Sequence, residues 1–193
     1  MIKTSTYSLP IGQDFTKIVG AVPIVRLNRV SDLCQQHHLY FKLESCNPGG
    51  SIKEKNAICL VDRAEAEGLL RSGGTIVESS SGNFEIALAM VGAVRGYRVK
   101  IVIDAKTSDT MRRILTAHGA QLIEVPLSNA DSYGSMQVAR MERAKELADS
   151  TPGAWYPCQH LNPHDPDAHE IYTAREIESA FNGAPDVIVI GVR

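Results

Sequence analysis

The chain has 193 residues, 44% of them hydrophobic and 22% charged, with a formal net charge of -2. This composition is typical of one sizeable globular domain or two small ones, and it excludes the strongly basic surface that nucleic-acid binding requires. No basic run indicates a membrane surface, so small molecules are the expected partners. The N-terminus lacks the apolar stretch of a signal peptide, the four cysteines form no CxxC pair, and no apolar run approaches the ~20 residues of a membrane span. We therefore expect a soluble, cytoplasmic protein.

The first predicted elements are two strands, at residues 22–27 and 39–44, with a short helix at residues 30–37 between them. From Gly74 onward, strands alternate with helices, and Gly96 and Ser108 are a natural helix C-cap and N-cap. The alternating elements are residues 74–78, 84–96, 98–104, 109–119, 120–125 and 133–148. This order predicts a parallel sheet with right-handed crossovers.

The end of the chain contains a short β-rich run at residues 154–157, a helix near residues 168–181, and the run DVIVIGV at residues 186–192. That run is apolar on both faces, which is typical of a strand buried between helices. Because the chain ends at Arg193, such a strand would leave a sheet edge exposed, and we expect the chain to be truncated.

The stretch NPGGSIKEKNA, residues 47–57, precedes a predicted helix. Pro48 and the two glycines predict a turn that lets the backbone approach a ligand closely, and Ser51 is a candidate cap. Lys53 would lie in the first turn, where the helix dipole disfavours the ammonium and favours a nucleophilic free amine. The alternative is a solvated surface lysine.

The stretch ESSSGN, residues 78–83, lies between a strand and a helix N-terminus. Its hydroxyls, its amide and the free backbone N–H groups there predict an anion site suited to a carboxylate, at the edge where parallel sheets bind ligands. An ordinary Ser/Gly-rich connection with a helix cap is the alternative.

Together, KLESCNPGGSIKEKNA and ESSSGNFEIALAM resemble the fold-type II pyridoxal-phosphate enzymes, the superfamily of cysteine synthase and the tryptophan synthase β-subunit. The resemblance continues through GAVPIVRL, LTAHGAQLIEV and QHLNPHDPDAHEIYTAREI. The stretch VIDAKTSDTMRRILTAHGA is similar to the enzymes that make N-(2-amino-2-carboxyethyl)-L-glutamate for 2,3-diaminopropionate and siderophore synthesis.

The resemblance implies an α/β fold with parallel sheets flanked by helices, and a homodimer. Residues 1–45 would belong to a large domain, residues 46–150 would form a small mobile domain, and residues 151–193 would begin the truncated remainder of the large domain. In the family a Gly/Thr-rich loop that binds the cofactor phosphate follows the strand matching DVIVIGV, and this chain ends where that loop would begin.

The implied activity is a β-replacement on O-phosphoserine or O-acetylserine through an aminoacrylate, with pyridoxal 5'-phosphate as cofactor and electron sink. Lys53 would form the imine with the cofactor and move the α-proton, and Asn83 would hydrogen-bond the cofactor's 3-hydroxyl. The side chains implied for the substrate carboxylate are those of Ser79, Ser80, Ser81 and Gln159.

Three positions depart from the family pattern. Glu85 replaces a glycine and would place negative charge near the carboxylate site. Ala174 replaces a glycine after Thr173, and Glu54 and Lys55 replace an Asp-Arg pair. A cysteine synthase proper and a truncated, non-catalytic relative or interaction protein therefore stay open as alternatives.

A metal site is not expected. The candidate ligands near the end of the chain match no usual zinc spacing. They are Cys158, His160, His164 and His169.

Overall fold

The computed structural model of the protein describes residues 14–29, 37–79 and 82–191. The helix predicted at residues 30–37 lies outside the described residues except for His37. The strands are β1 Ile24–Leu27, β2 Leu39–Lys42, β3 Thr75–Glu78, β4 Arg98–Asp104, β5 Gln121–Val125 and β6 Ala154–Trp155. The α-helices are α1 Lys53–Ala66, α2 Asn83–Arg95, α3 Asp109–Ala117, α4 Gln137–Asp149 and α5 Arg175–Phe181. A π-helical segment, His169–Ala174, leads directly into α5.

Four strands form a parallel sheet in the order β5-β4-β3-β6, and β1 pairs with β2 in a separate antiparallel ribbon. The predicted alternation of strands and helices is thereby confirmed, and β4 has the predicted bounds. Strand β3 is central because β4 and β6 both pair with it, so the segments that follow β3 and β6 leave the sheet at the same edge.

The core lies on both faces of the parallel sheet. Ile76 and Ile101 pack with α1 and α2 on one face, whereas Val77 and Val102 pack with Ala144 of α4 on the other. This alternation follows from the two-residue period of a strand, and it buries all of β3 and the second half of β4.

Local side chains and glycines set the helix ends. Gly96 closes α2 with a φ of +76°, and Ser108 Oγ accepts a hydrogen bond from the Met111 N–H at 3.3 Å, as predicted. Helix α4 begins at Gln137, four residues later than predicted. Asp131 Oδ1 accepts hydrogen bonds from the backbone of Tyr133 and Ser135, which stabilises a turn in place of the first helical turn.

The strand predicted at residues 186–192 is wrong for the described part, which ends at Gly191. Within the described residues this segment has no strand partner, and its apolar side chains are 53–92% exposed. Those side chains are Val187, Ile188, Val189 and Ile190. A β-branched composition favours an extended chain, but only a hydrogen-bonded neighbour makes it a strand.

Candidate active site

The turn before α1 is held by the side chain of Asn47, which is 3% exposed. Its Oδ1 accepts a hydrogen bond from the Gly20 N–H at 3.0 Å. Its Nδ2 donates to the Ser51 carbonyl oxygen at 3.0 Å and to Oε2 of Glu44 at 2.9 Å. Because these bonds form away from water, they fix the turn in one conformation.

Each glycine of the turn is required for a different reason. Gly50 has a φ of +83°, a left-handed conformation that other residues adopt at a cost. A Cβ on Gly49 would lie 2.8 Å from Sδ of Met90 and 2.9 Å from Oε1 of Glu54. Both glycines thus serve the turn itself, while the predicted close approach of a ligand stays a prediction.

Ser51 and Glu54 stabilise the start of α1 much as in a capping box. Ser51 Oγ accepts a hydrogen bond from the Lys53 N–H at 3.2 Å. The N-cap position itself is occupied by Ile52, one residue later than the predicted cap, so Ser51 supports the first helical turn from just before the cap. The Glu54 carboxylate accepts from the N–H groups of Ser51 and Gly49, at 3.0 and 2.8 Å. Burial raises the pKa of Glu54, although both backbone hydrogen bonds oppose this.

Lys53 is the first residue of α1 and is half-buried. His169, at the start of the π-helical segment, is close enough to interact electrostatically with it. Burial lowers the pKa of His169, and the charge of Lys53 lowers it further. Both effects favour the neutral form of His169, which lacks a second positive charge beside the lysine.

The second motif begins where β3 ends, at Glu78. This side chain is 1% exposed, its Oε1 accepts a hydrogen bond from the Ser79 N–H at 2.7 Å, and its Oε2 accepts from the Gln159 N–H at 3.2 Å. One carboxylate therefore joins two of the predicted carboxylate-binding residues. Gln159 follows Cys158, which has a φ of +48° and supports a sharp change of chain direction.

Ser79 is 2% exposed, and its Oγ has no hydrogen-bond partner among the described residues. A buried hydroxyl without a protein partner is costly, so this oxygen has hydrogen-bonding capacity that a bound molecule can use. Ser80 and Ser81 lie outside the described residues.

Asn83 is the first residue of α2 and is exposed. Glu85 is fully buried, and its Oε2 accepts a hydrogen bond from the Gly82 N–H at 2.9 Å. The sequence predicted free N–H groups at this loop. The structure corrects this for Ser79 and Gly82, whose N–H groups are bound by the Glu78 and Glu85 carboxylates.

The same carboxylates make the base of the loop an unusual electrostatic environment. Burial raises the pKa of Glu78 to about 7, and the charge of Glu85 adds to the rise, although hydrogen bonds from Ser79 and Gln159 oppose it. Tyr156, in the segment after β6, is close enough to Glu78 to interact with it electrostatically. Burial raises the pKa of its hydroxyl group, and interactions with Cys158 and Glu78 raise it further.

The sequence did not reveal a buried charge cluster under α1. Lys55 is 0% exposed, and its Nζ donates to Oε1 of Glu44 at 2.9 Å and to Oε2 of Glu176 at 2.8 Å. Lys42 also donates to Glu176. No pattern could have revealed this cluster, because Lys55 and Glu176 are 121 residues apart in the chain.

The structure therefore brings Ser79 and Gln159 together and places Asn83 at the end of the same loop. Lys53 lies on α1, which packs against α2. In the part of the chain that the structure describes, no group of three or more His, Cys, Asp or Glu residues could hold a metal ion. None of the described helices has the length and apolarity needed to cross a membrane.

Comparison with known families matches residues 15–193 to the family described as pyridoxal-phosphate dependent enzyme. The match covers most of the chain, so the chain belongs to this family. Its fold is the α/β fold of fold-type II members, with a parallel sheet flanked by helices.

Among individual relatives, the cysteine synthase of Flavobacterium sp. is 37% identical over 180 residues, which are 93% of this chain and 56% of that protein. The N-(2-amino-2-carboxyethyl)-L-glutamate synthase of Ralstonia nicotianae is also 37% identical, over 94% of this chain and 53% of that protein. The crystal structure of an O-ureido-L-serine synthase is 38% identical with a TM-score of 0.78, over 92% of this chain and 54% of that one. The chain thus spans about half the length of the relatives that it matches.

The described residues fit the cofactor of this family in their chemistry. A half-buried primary amine begins α1, an exposed amide begins α2, and an unpartnered buried hydroxyl lies at the carboxyl end of β3. These are the groups that a carbonyl carbon, a ring hydroxyl and a substrate carboxylate require. Lys53, Asn83 and Ser79 supply them.

Proposed function

We propose that the chain contributes to a pyridoxal-phosphate-dependent β-replacement on a serine derivative. The observation that carries the proposal is the buried, unpartnered Oγ of Ser79 at the carboxyl end of a parallel strand. The Glu78 carboxylate holds the backbone of the same serine beside that of Gln159, because it accepts hydrogen bonds from the N–H groups of both residues. In a family of pyridoxal-phosphate enzymes, such a hydroxyl suits the carboxylate of an amino acid.

Each side chain has a proposed role. Lys53 would hold the cofactor covalently through its amine and, when released, take the proton from the substrate Cα. Asn83 would donate a hydrogen bond to the cofactor's ring hydroxyl. The substrate carboxylate would be held by Ser79, Ser80, Ser81 and Gln159. When bound, the cofactor supplies a pyridine ring that withdraws electrons from the substrate Cα.

The names of the relatives support the reaction class. Cysteine, O-ureido-L-serine and N-(2-amino-2-carboxyethyl)-L-glutamate each contain a three-carbon amino-acid unit whose β-carbon carries sulfur, oxygen or nitrogen. A further structural neighbour, from Helicobacter pylori, is named as an O-acetylserine dependent cystathionine beta-synthase, with 30% identity, a TM-score of 0.78, and coverage of 89% of this chain and 55% of that one. We therefore propose O-acetylserine or O-phosphoserine as the substrate.

Two relatives of equal identity, at 37%, indicate different nucleophiles. An amine nucleophile would place the activity in 2,3-diaminopropionate-type biosynthesis, and sulfide would make it a cysteine synthase. Product analysis with O-phospho-L-serine plus L-glutamate, and with O-acetyl-L-serine plus sulfide, separates the two.

Covalent trapping tests the cofactor site directly. The full chain is mixed with pyridoxal 5'-phosphate, reduced with borohydride, digested and analysed by mass spectrometry. We expect the mass increment on Lys53, which is only half-buried, and not on Lys55, whose amine is buried in ion pairs. Lys53→Ala should remove the increment and Lys145→Ala, at an exposed position, should not. Labelling spread over surface lysines with none at Lys53 would contradict the proposal and favour a non-catalytic relative.

We also propose that the protein is a cytoplasmic homodimer with boundaries between structural units near residues 45 and 150. Family resemblance supports the homodimer and the boundaries. The four cysteines, which form no CxxC pair, support a reducing compartment. Light scattering of the purified chain measures the oligomeric state, and limited proteolysis tests the boundaries.

A further inference from the structure

Two buried glutamates hold the backbone between β3 and α2. Glu78, the last residue of β3, accepts a hydrogen bond from the Ser79 N–H, and Glu85, in the first turn of α2, accepts one from the Gly82 N–H. Both side chains are nearly inaccessible, at 1% and 0% exposure. The carboxylate oxygens are therefore shielded from solvent, and they accept hydrogen bonds from backbone N–H groups of the protein.

We propose that Glu78 and Glu85 are positioning residues that fix the backbone of Ser79, Gly82 and Gln159, and so set the affinity of the carboxylate site that includes Ser79 and Gln159. The inference rests on the proposed function for its substrate, but not for the arrangement of the loop. Neither glutamate is a catalytic residue, because each acts through backbone groups.

The geometry explains why Glu78 must be ionised to hold both segments. A carboxylate has only acceptor oxygens, and those of Glu78 accept from Ser79 at 2.7 Å and from Gln159 at 3.2 Å. On protonation one oxygen becomes a donor, so one of the two N–H groups loses its acceptor. The loop after β3 and the segment after β6 would then be less firmly connected.

The charged and titratable groups that face Glu78 come from two elements. Glu85 faces it from α2, and Tyr156 and Cys158 face it from the segment after β6. None of them is a cation. With a pKa of about 7, Glu78 changes its charge within the physiological pH range. Burial is the main cause of this raised pKa, and the negative charge of Glu85 raises it further.

Amide spectra of the unliganded full chain test the inference without any need for activity. Backbone N–H signals of Ser79, Gly82 and Gln159 are followed by nuclear magnetic resonance from pH 5.5 to 8.5. The chain is compared with Glu78→Gln and Glu85→Gln. Glu146→Gln, at an exposed ion pair with Arg143, is the matched control.

In the wild type we expect the Ser79 and Gln159 signals to shift with a midpoint near pH 7. Glu85→Gln retains an oxygen that can accept the Gly82 N–H but removes a negative charge, so the midpoint should fall by several tenths of a pH unit or more. Glu78→Gln should abolish the step, and Glu146→Gln should leave it unchanged. Signals that do not respond to pH, or a midpoint unaffected by Glu85→Gln, would overturn the inference.

A binding measurement connects the loop to the proposed function. With cofactor present, calorimetry should show O-acetyl-L-serine binding about tenfold more weakly to Glu78→Gln than to the wild type at pH 8, because one backbone hydrogen bond is lost. The difference should shrink at pH 6, where Glu78 is protonated, and cofactor labelling of Lys53 should be unchanged. Equal affinities at pH 8 would contradict the positioning role. If the wild type binds no O-acetyl-L-serine at all, the proposed function fails, and the amide titration alone decides the positioning role.

Discussion

Lys55 Nζ donates a hydrogen bond to Glu176 Oε2 at 2.8 Å, and this joins the first turn of α1 to the first turn of α5. Glu176 also accepts from the Ala21 N–H, at 3.1 Å, so it connects the N-terminal segment to the same cluster. Although burial opposes the ionisation of Glu176, hydrogen bonds from Lys42 and Lys55 lower its pKa. The position of α1, and with it that of Lys53, is therefore held by the ion pairs of Lys55 with Glu44 and Glu176.

Replacing Lys55 by alanine should destabilise the chain strongly. Two carboxylates would lose a buried partner, and breaking such a cluster costs about 3–5 kcal/mol. Lys145→Ala, which removes an exposed ion pair with Asp149, should cost less than about 0.5 kcal/mol. Urea unfolding measures both, and similar losses for the two variants would show that burial does not matter here.

Ser79→Ala should separate stability from binding. The variant removes a buried hydroxyl without a partner, so the free energy of unfolding of the unliganded chain should stay the same or rise by about 1 kcal/mol. Affinity for O-acetyl-L-serine should fall. Ser108→Ala is the control, because loss of this helix cap should cost about 1 kcal/mol with no effect on binding. A large loss of stability in Ser79→Ala would indicate a structural hydroxyl.

Gly49→Ala should cost about 1–3 kcal/mol, because its methyl group would collide with Met90 and with the Glu54 carboxylate that caps α1. Thermal unfolding measures the loss. The cost of Gly49→Ala should be smaller when it is measured in a Met90→Ala background, since the methionine is one of the two obstacles. Gly82→Ala, with open space around its Cβ, should cost less than about 0.5 kcal/mol. Equal costs at both glycines would contradict the steric explanation.

The raised pKa of Glu78 predicts a pH dependence of stability with a defined sign. Folding raises this pKa from 4.5 to about 7, so the folded state favours the protonated form. The contribution of Glu78 to stability is full below pH 4.5 and decreases as the pH rises to about 7, by roughly 3 kcal/mol in total. The difference in unfolding free energy between the wild type and Glu78→Gln should change by this amount between pH 4.5 and 8. A constant difference would show that Glu78 titrates normally.

The parallel sheet was predictable because its signals are local. The run from Arg98 to Asp104 predicted β4 correctly, and Gly96 and Ser108 marked helix ends through their own backbone or side-chain chemistry. The pattern Ser51-x-x-Glu54 also carried a capping signal that could have explained the Glu54 departure. The departure from the family pattern at Glu54 thus has a local reason, because its carboxylate binds the N–H groups of Gly49 and Ser51 before α1.

Contacts between distant segments were not predictable. Glu85 predicted a charge near the carboxylate site, and its bond to Gly82, three residues earlier, is a local capping contact. Its complete burial, in contrast, depends on the packing of α2 in the fold. Gln159 and Ser79 were assigned together by resemblance, and the carboxylate that joins them, Glu78, is 81 residues from Gln159 in the chain. Sequence patterns report local periodicity, whereas these contacts are set by tertiary structure.

The exposed run from Val187 to Ile190 has a practical consequence for handling the protein. Four consecutive uncharged residues of high β-propensity offer their backbone and apolar side chains to any second molecule. Concentrated samples should therefore self-associate, and Val189→Lys should suppress this by adding charge at the most exposed position of the run. Light scattering across a concentration series measures the effect, and a variant that associates like the wild type would place the adhesive surface elsewhere.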